Sequence, residues 1–282
     1  TASLHRAKVK DGANLDDVLV PAKIIHVRSG GEMLDQMVAR ISKSANTQNT
    51  VQPADFSAND PFHREVENLA NNIWSPDGRA RWFYERARGT YGVAEGIAEA
   101  KADTRRSFKA ETPKERRLDK TQLARYLNAW EGRPFEVAAG AQKNFQFFMQ
   151  RLKQTPAQID EAWYERLIAL ATLYRTTERI VREEAFPAYR AIITVYTVAS
   201  LGQLTAGRID FAKIWREQSI SAELQTMIRS WSHRLDELLR SSAGARMPTE
   251  WAKKEECWSA IRNDIPHAQN PLPPEIASGV VG

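Results

Sequence analysis

The chain has 282 residues, 42% of them hydrophobic and 27% charged, with a formal net charge of +5; these are ordinary globular values that permit a buried core. No run of about eighteen apolar residues occurs, so the sequence offers no helical membrane span and no membrane partner. The lone cysteine, Cys257, excludes a disulfide framework and a cysteine-based zinc site. It suits a reducing cytosol, so the expected location is cytoplasmic.

In chain order, Thr1–Val9 reads as the end of a helix stopped by Asp11-Gly12. Because it opens in mid-helix on Thr rather than Met, the expectation is that an upstream part precedes it. Val18–Arg28 is rich in β-branched residues and reads as a strand, with Pro21 favouring an edge. Met33–Ser42 has apolar residues at helical spacing. After the polar loop Asn46–Ser57, Asp60-Pro61 forms a helix start, with Phe62, Val66, Leu69 and Ile73 on one face. Arg81–Tyr84 is a candidate strand. Thr112-Pro113-Lys114-Glu115 has the form of a capping box, followed by helices over Thr121–Trp130 and Ala141–Leu152.

A second box, Thr155-Pro156-Ala157-Gln158, is expected to open a long helix carrying Ile159, Trp163, Leu167, Leu170, Tyr174 and Val181, ended by Pro187. Helices at about Ala188–Leu204, Phe211–Glu217, Ser221–Arg240 and Thr249–Asn263 follow. The expected fold is α+β but predominantly helical: a small mixed front end with a few strands, then a helical bundle. The expected regions are 1–154, containing a basic segment at 79–125, then helical 155–263, then a frayed, Pro-rich tail at 264–282. The boundary near Thr155 is open, since the two halves could share a core.

Charge is concentrated. Arg79–Arg125 holds thirteen Lys/Arg against seven Asp/Glu, a net of +6, and the rest of the chain nets −1. A regional excess of this kind is the electrostatic footprint expected for a polyanion. Within it Arg79, Arg81, Arg86 and Arg88 surround Trp82, Phe83 and Tyr84. Guanidinium forks hold phosphate oxygens and aromatic faces stack on bases. On a strand, Arg81, Phe83 and Glu85 share one face and Trp82, Tyr84 and Arg86 the other. The competing reading puts the aromatics in the core and pairs the arginines with carboxylates. Lys143 is a further candidate phosphate contact. Arg105–Lys120 could track a backbone or be a solvated helical surface.

Other constellations are weaker. Asn46, Gln48 and Asn49 could read base edges, or simply bond their own loop; with His63 they form a polar candidate site. Asp55, Asp60, His63 and Glu67 do not have the spacing of a metal site, so no metal is expected, and no cofactor. Glu99-Ala100-Lys101 has the Glu-x-Lys form of restriction-type nucleases but sits in an Ala-rich helical context. No P-loop, nucleophile elbow or dinucleotide fingerprint occurs. Cys257 has no evident base and reads as a packed thiol. Trp163, Trp215, Trp231, Trp251 and Trp258 fall on helical patterns and read as core.

Five segments together resemble the AIPR family, named for abortive infection and phage resistance. They are Ile41–His63, Arg81–Tyr91, Ala141–Phe145, Phe186–Leu201 and Thr249–Trp258, which occur in the family's order. The resemblance implies a bacterial phage-resistance protein, of which this chain is the C-terminal part. It also implies that a segment ending in Gly-Gly-Gln-Thr precedes Thr1, and that a nuclease-like amino-terminal region lies further upstream in many members. It supplies no reaction for the region present.

Three functions remain open on the sequence. The first is engagement of nucleic acid, DNA rather than RNA, through Arg79–Arg125, without a complete catalytic site. The second is a helical module that binds other defence-system subunits. The third is an enzyme site completed upstream of Thr1, to which Asn46–His63 would contribute.

Overall fold

The computed structural model describes residues 8–9, 12, 14–15, 18, 57–99, 102–184, 186, 189–264 and 272–277. The strand expected over Val18–Arg28, Val18 apart, and the helix over Met33–Ser42 lie outside the described residues. So do Asn46, Gln48, Asn49 and Asp55. Residues 1–49 form one unit and 50–282 another; the elements below belong to the second.

Helix α1 (Pro61–Asn72) begins as its sequence requires. Asp60 accepts the Phe62 amide at 3.0 Å and Pro61 fills the first turn. Its inner face buries Phe62, His63, Val66 and Ala70. A tight turn over Ser75–Ala80 then leads into β1 (Phe83–Glu85), with Ser75 N–H donating to the Ala80 carbonyl at 2.8 Å. The crossover helices α2 (Thr90–Ala98) and α3 (Ala102–Glu111) return the chain to β2 (Arg117–Asp119). The two strands are parallel, with Tyr84 opposite Leu118, and a parallel pair needs such a crossover.

Asp119 ends β2 and starts α4 (Lys120–Trp130). Its carboxylate accepts the Thr121 and Gln122 amides while the Gln122 side chain accepts the Asp119 N–H, a reciprocal capping box. Then come α5 (Pro134–Ala138), α6 (Ala141–Gln154), α7 (Glu161–Glu183), α8 (Arg190–Leu204), α9 (Phe211–Glu217) and α10 (Ala222–Ala243). The short helices α11 (Pro248–Trp251), α12 (Glu255–Ile261) and α13 (Pro274–Ala277) complete the described residues. The architecture is the predominantly helical α+β one expected.

The central helix α8 is buried continuously from Ile193 to Gly202, which is why its sequence lacks a polar face. A Cβ at Gly202 would lie 2.4 Å from the Trp130 carbonyl oxygen, so glycine is what lets α8 reach the end of α4. One hydrophobic core runs from Phe62 through Trp82, Leu123, Leu167 and Ile228 to Ile276, across the boundary read at Thr155. A second cluster gathers Val181, Tyr196, Leu239 and Trp258. Trp215, Trp231, Trp251 and Trp258 are buried, as their spacing suggested, and Trp163 packs partly buried against the main core.

Several local expectations are corrected. Thr112 is not a cap: its hydroxyl donates to the Phe108 carbonyl at 2.8 Å, closing α3. Lys114–Arg116 makes a single 3-10 turn before β2. Thr155 likewise closes α6 rather than opening α7. The long helix starts at Asp160, whose carboxylate accepts the Trp163 amide at 2.8 Å. The expected Thr249–Asn263 helix is two helices and a 3-10 turn. Within the expected frayed tail, residues 272–277 are docked. The Glu275 carboxylate accepts from the Ser221 N–H (2.6 Å) and hydroxyl (2.7 Å) at the start of α10, and Ile276 is buried.

Candidate functional site

The arginines and aromatics of Arg79–Tyr91 do not form one open surface; the chain sorts them. Trp82, just before β1, and Tyr84 within it are both buried in the core. Tyr84 hydrogen-bonds His63 Nδ1 at 2.7 Å, and His63 stacks between Tyr84 and Phe145. The expected stacking role of Trp82 and Tyr84 is therefore corrected: neither ring faces solvent. His63 is fully buried, and burial, then the Lys120 and Arg86 charges, push its imidazole down to about 3. It is a neutral core residue rather than part of an open polar site. Burial also raises the Tyr84 hydroxyl.

Arg86 is corrected too. Its Nε donates to Glu67 at 2.7 Å and its Nη1 to the Ala58 carbonyl and Asn59, tying the strand's end to α1. Its charge is spent inside the protein. With Glu67 taken by Arg86 and Asp60 capping α1, the acids near His63 have other partners. Among the described residues no group of three His, Cys, Asp or Glu could hold a metal ion. Cys257 is buried, and burial pushes its thiol up.

A different set of arginines comes together on two adjoining turns. Arg79 is exposed beside Asp77. Arg81 donates to the Asn71 carbonyl and lies 5.4 Å over the Trp74 ring. Arg116 Nη1 donates to the Ser75 hydroxyl at 2.8 Å, which joins the two turns. Arg175, reaching from α7, donates to the Glu115 and Arg117 carbonyls on either side of Arg116. The partners of Arg81, Arg116 and Arg175 are uncharged oxygens, so these guanidiniums are held in place without being neutralised. Asp77 is the acid set among them; hydrogen bonds from the Ser75 hydroxyl and the Arg79 amide hold its carboxyl below the usual carboxylate range. Arg117 instead pairs with Glu85 at 3.5 Å.

Of the residues singled out from sequence, Arg79 and Arg81 belong to this group. Arg88 is exposed in the turn before α2, and Lys143 is exposed in the first turn of α6. Among the described residues no hydrogen bond, ion pair or ring contact joins either to the group. Arg116 was legible only as part of a charged stretch. Arg175 carried no signal at all, because on a helix of alternating charge nothing marks the one guanidinium that bridges back to a strand.

Fold and site together define a predominantly helical α+β protein in which, among the described residues, a parallel strand pair carries an arginine-lined double turn. The chain belongs to the AIPR family: the family's model, described as AIPR protein, matches residues 1–243. That membership places it among the abortive-infection, phage-resistance proteins. No curated protein and no solved structure matches the chain. Among the described residues no helix is long and apolar enough to cross a membrane.

Proposed function

We propose that this chain is the nucleic-acid-engaging part of a bacterial phage-defence protein that acts in the cytoplasm. Phosphates would be held by Arg79, Arg81 and Arg116 on the double turn, with Arg175 as their support. The observation that carries the reading is that Arg81, Arg116 and Arg175 spend their hydrogen bonds on uncharged oxygens, so that with the exposed Arg79 the group keeps a net positive charge even with Asp77 beside it. Such a group attracts a polyanion without a competing acid for each arginine. Binding, not catalysis, is the role assigned to the described residues. The regional charge excess and the free, buried Cys257 support a ligand and a compartment of this kind.

The test is retention of single-stranded and duplex DNA, and of RNA of equal length, by the chain in rising salt. Affinity should fall steeply with salt, and Arg79→Glu should reduce the logarithmic salt slope by roughly one. DNA should be held at least as well as RNA. No salt-sensitive retention of any polynucleotide overturns the reading.

One observation favours a second reading, docking of another defence subunit. Among the described residues of the Thr155–Asn263 span only Met247 is a well-exposed large hydrophobic. Instead Val93 and Ile97, one turn apart on α2, are 63% and 71% exposed. Ile97→Lys should leave polynucleotide retention intact and abolish capture of a co-encoded defence subunit. Unchanged capture sinks this reading.

A further inference from the structure

An open cleft of about 560 Å³ lies between the end of α1, the first turns of α7 and the end of α9. That is the size of a small-ligand site rather than of a groove for a duplex. Trp74 stands at it, 39% exposed, with Trp215 buried beneath. Glu161 and Glu165, one helical turn apart on α7, and Arg216 on α9 complete the polar lining. Among the described residues Arg216 makes no ion pair with either carboxylate. Opposite charges thus line one cleft without satisfying each other. Arg81, whose guanidinium lies over the Trp74 ring, brings the double turn to the same place.

From this juxtaposition we infer that the cleft takes one unstacked guanine base of a single strand, with the adjoining phosphate at Arg81. The inference rests on the nucleic-acid reading above and deepens it. Donors and acceptors select the base. A carboxylate only accepts, and it offers two oxygens side by side. Guanine alone presents two adjacent N–H donors, N1–H and the 2-amino group, on its pairing edge. Adenine and cytosine offer one amine beside a ring acceptor, which a carboxylate oxygen would repel. Thymine and uracil offer one N–H between two carbonyls. Arg216 supplies the complementary fork for guanine O6 and N7, the commonest pairing of arginine with a base. Trp74 offers a face for stacking. The acids inside and the cation beside them also sort the ligand, because Glu161 and Glu165 repel phosphate while Arg81 attracts it.

The experiment measures binding to thymine oligonucleotides of one length, at one salt concentration, carrying at the centre thymine, guanine, inosine or 7-deazaguanine. One guanine should tighten binding by roughly tenfold or more. Inosine, which lacks the 2-amino group, and 7-deazaguanine, which lacks N7, should each lose most of that gain. Glu165→Gln should remove the discrimination between guanine and inosine. Arg216→Ala should remove that between guanine and 7-deazaguanine, an independent check if one variant folds poorly. Equal binding of the guanine and all-thymine strands overturns the guanine site and leaves the polyanion reading standing. If no strand is retained at any salt concentration, both fall.

Discussion

Arg175 on α7 lies 4.7 Å over the ring of Trp82, while its terminal nitrogens donate to the Glu115 and Arg117 carbonyls. One side chain thus covers a buried indole and fastens the long helix to the turn that precedes β2. Arg175→Ala is expected to cost roughly 2–3 kcal/mol, since two charge-assisted hydrogen bonds and a cation–π contact go together. Arg175→Lys should recover part of this, because an ammonium keeps the charge but not the fork. Chemical denaturation of the two variants measures the difference; an equal, near-zero cost in both would refute the bridging role.

His63 predicts an acid response. Its imidazole is held neutral down to about 3, against 6.5 for a free one. Between those values the unfolded chain binds a proton that the folded chain refuses. The folded state's advantage is therefore complete above about 6.5 and is lost as the pH falls towards 3, by up to about 1.4 kcal/mol per pH unit. His63→Phe retains the ring stack and deletes the titration, at a cost of about 1 kcal/mol for the orphaned Tyr84 hydroxyl. Melting curves between about pH 7 and about pH 4.5 should show the wild type losing more stability than the variant. Parallel losses would contradict this.

At Gly202 the prediction concerns a single methyl group. Alanine there would collide with the Trp130 backbone, which has no flexible end to swing away. Gly202→Ala should cost about 1–3 kcal/mol by forcing α8 from α4, despite alanine's better helix propensity. A denaturation midpoint equal to or above the wild type's would mean that the two helices adjust freely.

Glu275 anchors the carboxy-terminal segment. It is fully buried, and its carboxylate takes both the amide and the hydroxyl of Ser221. Glu275→Ala is expected to lower stability by about 2–3 kcal/mol. Ending the chain after Asp264 should do at least as much, since Ile276 leaves the core with it. Hydrogen exchange at the first turn of α10 would locate the effect. Unaltered protection there would show that the tail is dispensable.

Local signals carried far along this chain where the competing signals were few. Asp60-Pro61, the 3.6-residue rhythm of Leu167, Leu170 and Tyr174, and the bounds of Phe211–Glu217 were readable because each is decided within a turn or two. The misread capping boxes fail for one reason. Thr112 and Thr155 stand where a helix has just ended: the Thr112 hydroxyl donates back to the Phe108 carbonyl, and the Thr155 amide to that of Arg151. Only the rest of the chain determines whether such a threonine closes one helix or opens the next.

The candidate site divides along the same line. The amino-acid sequence by itself determined the family, the helical class and the concentration of charge between Arg79 and Arg125, because composition, periodicity and motif order are properties of the string. Tertiary structure alone decided which cations were spent and which kept their charge. Arg86 meets Glu67 from nineteen residues away, whereas Arg175 meets carbonyls about sixty residues back. An ion pair and a carbonyl clamp look identical in sequence; they differ only in what the fold brings within 3 Å of a guanidinium, and that difference determines whether the charge is available to a phosphate.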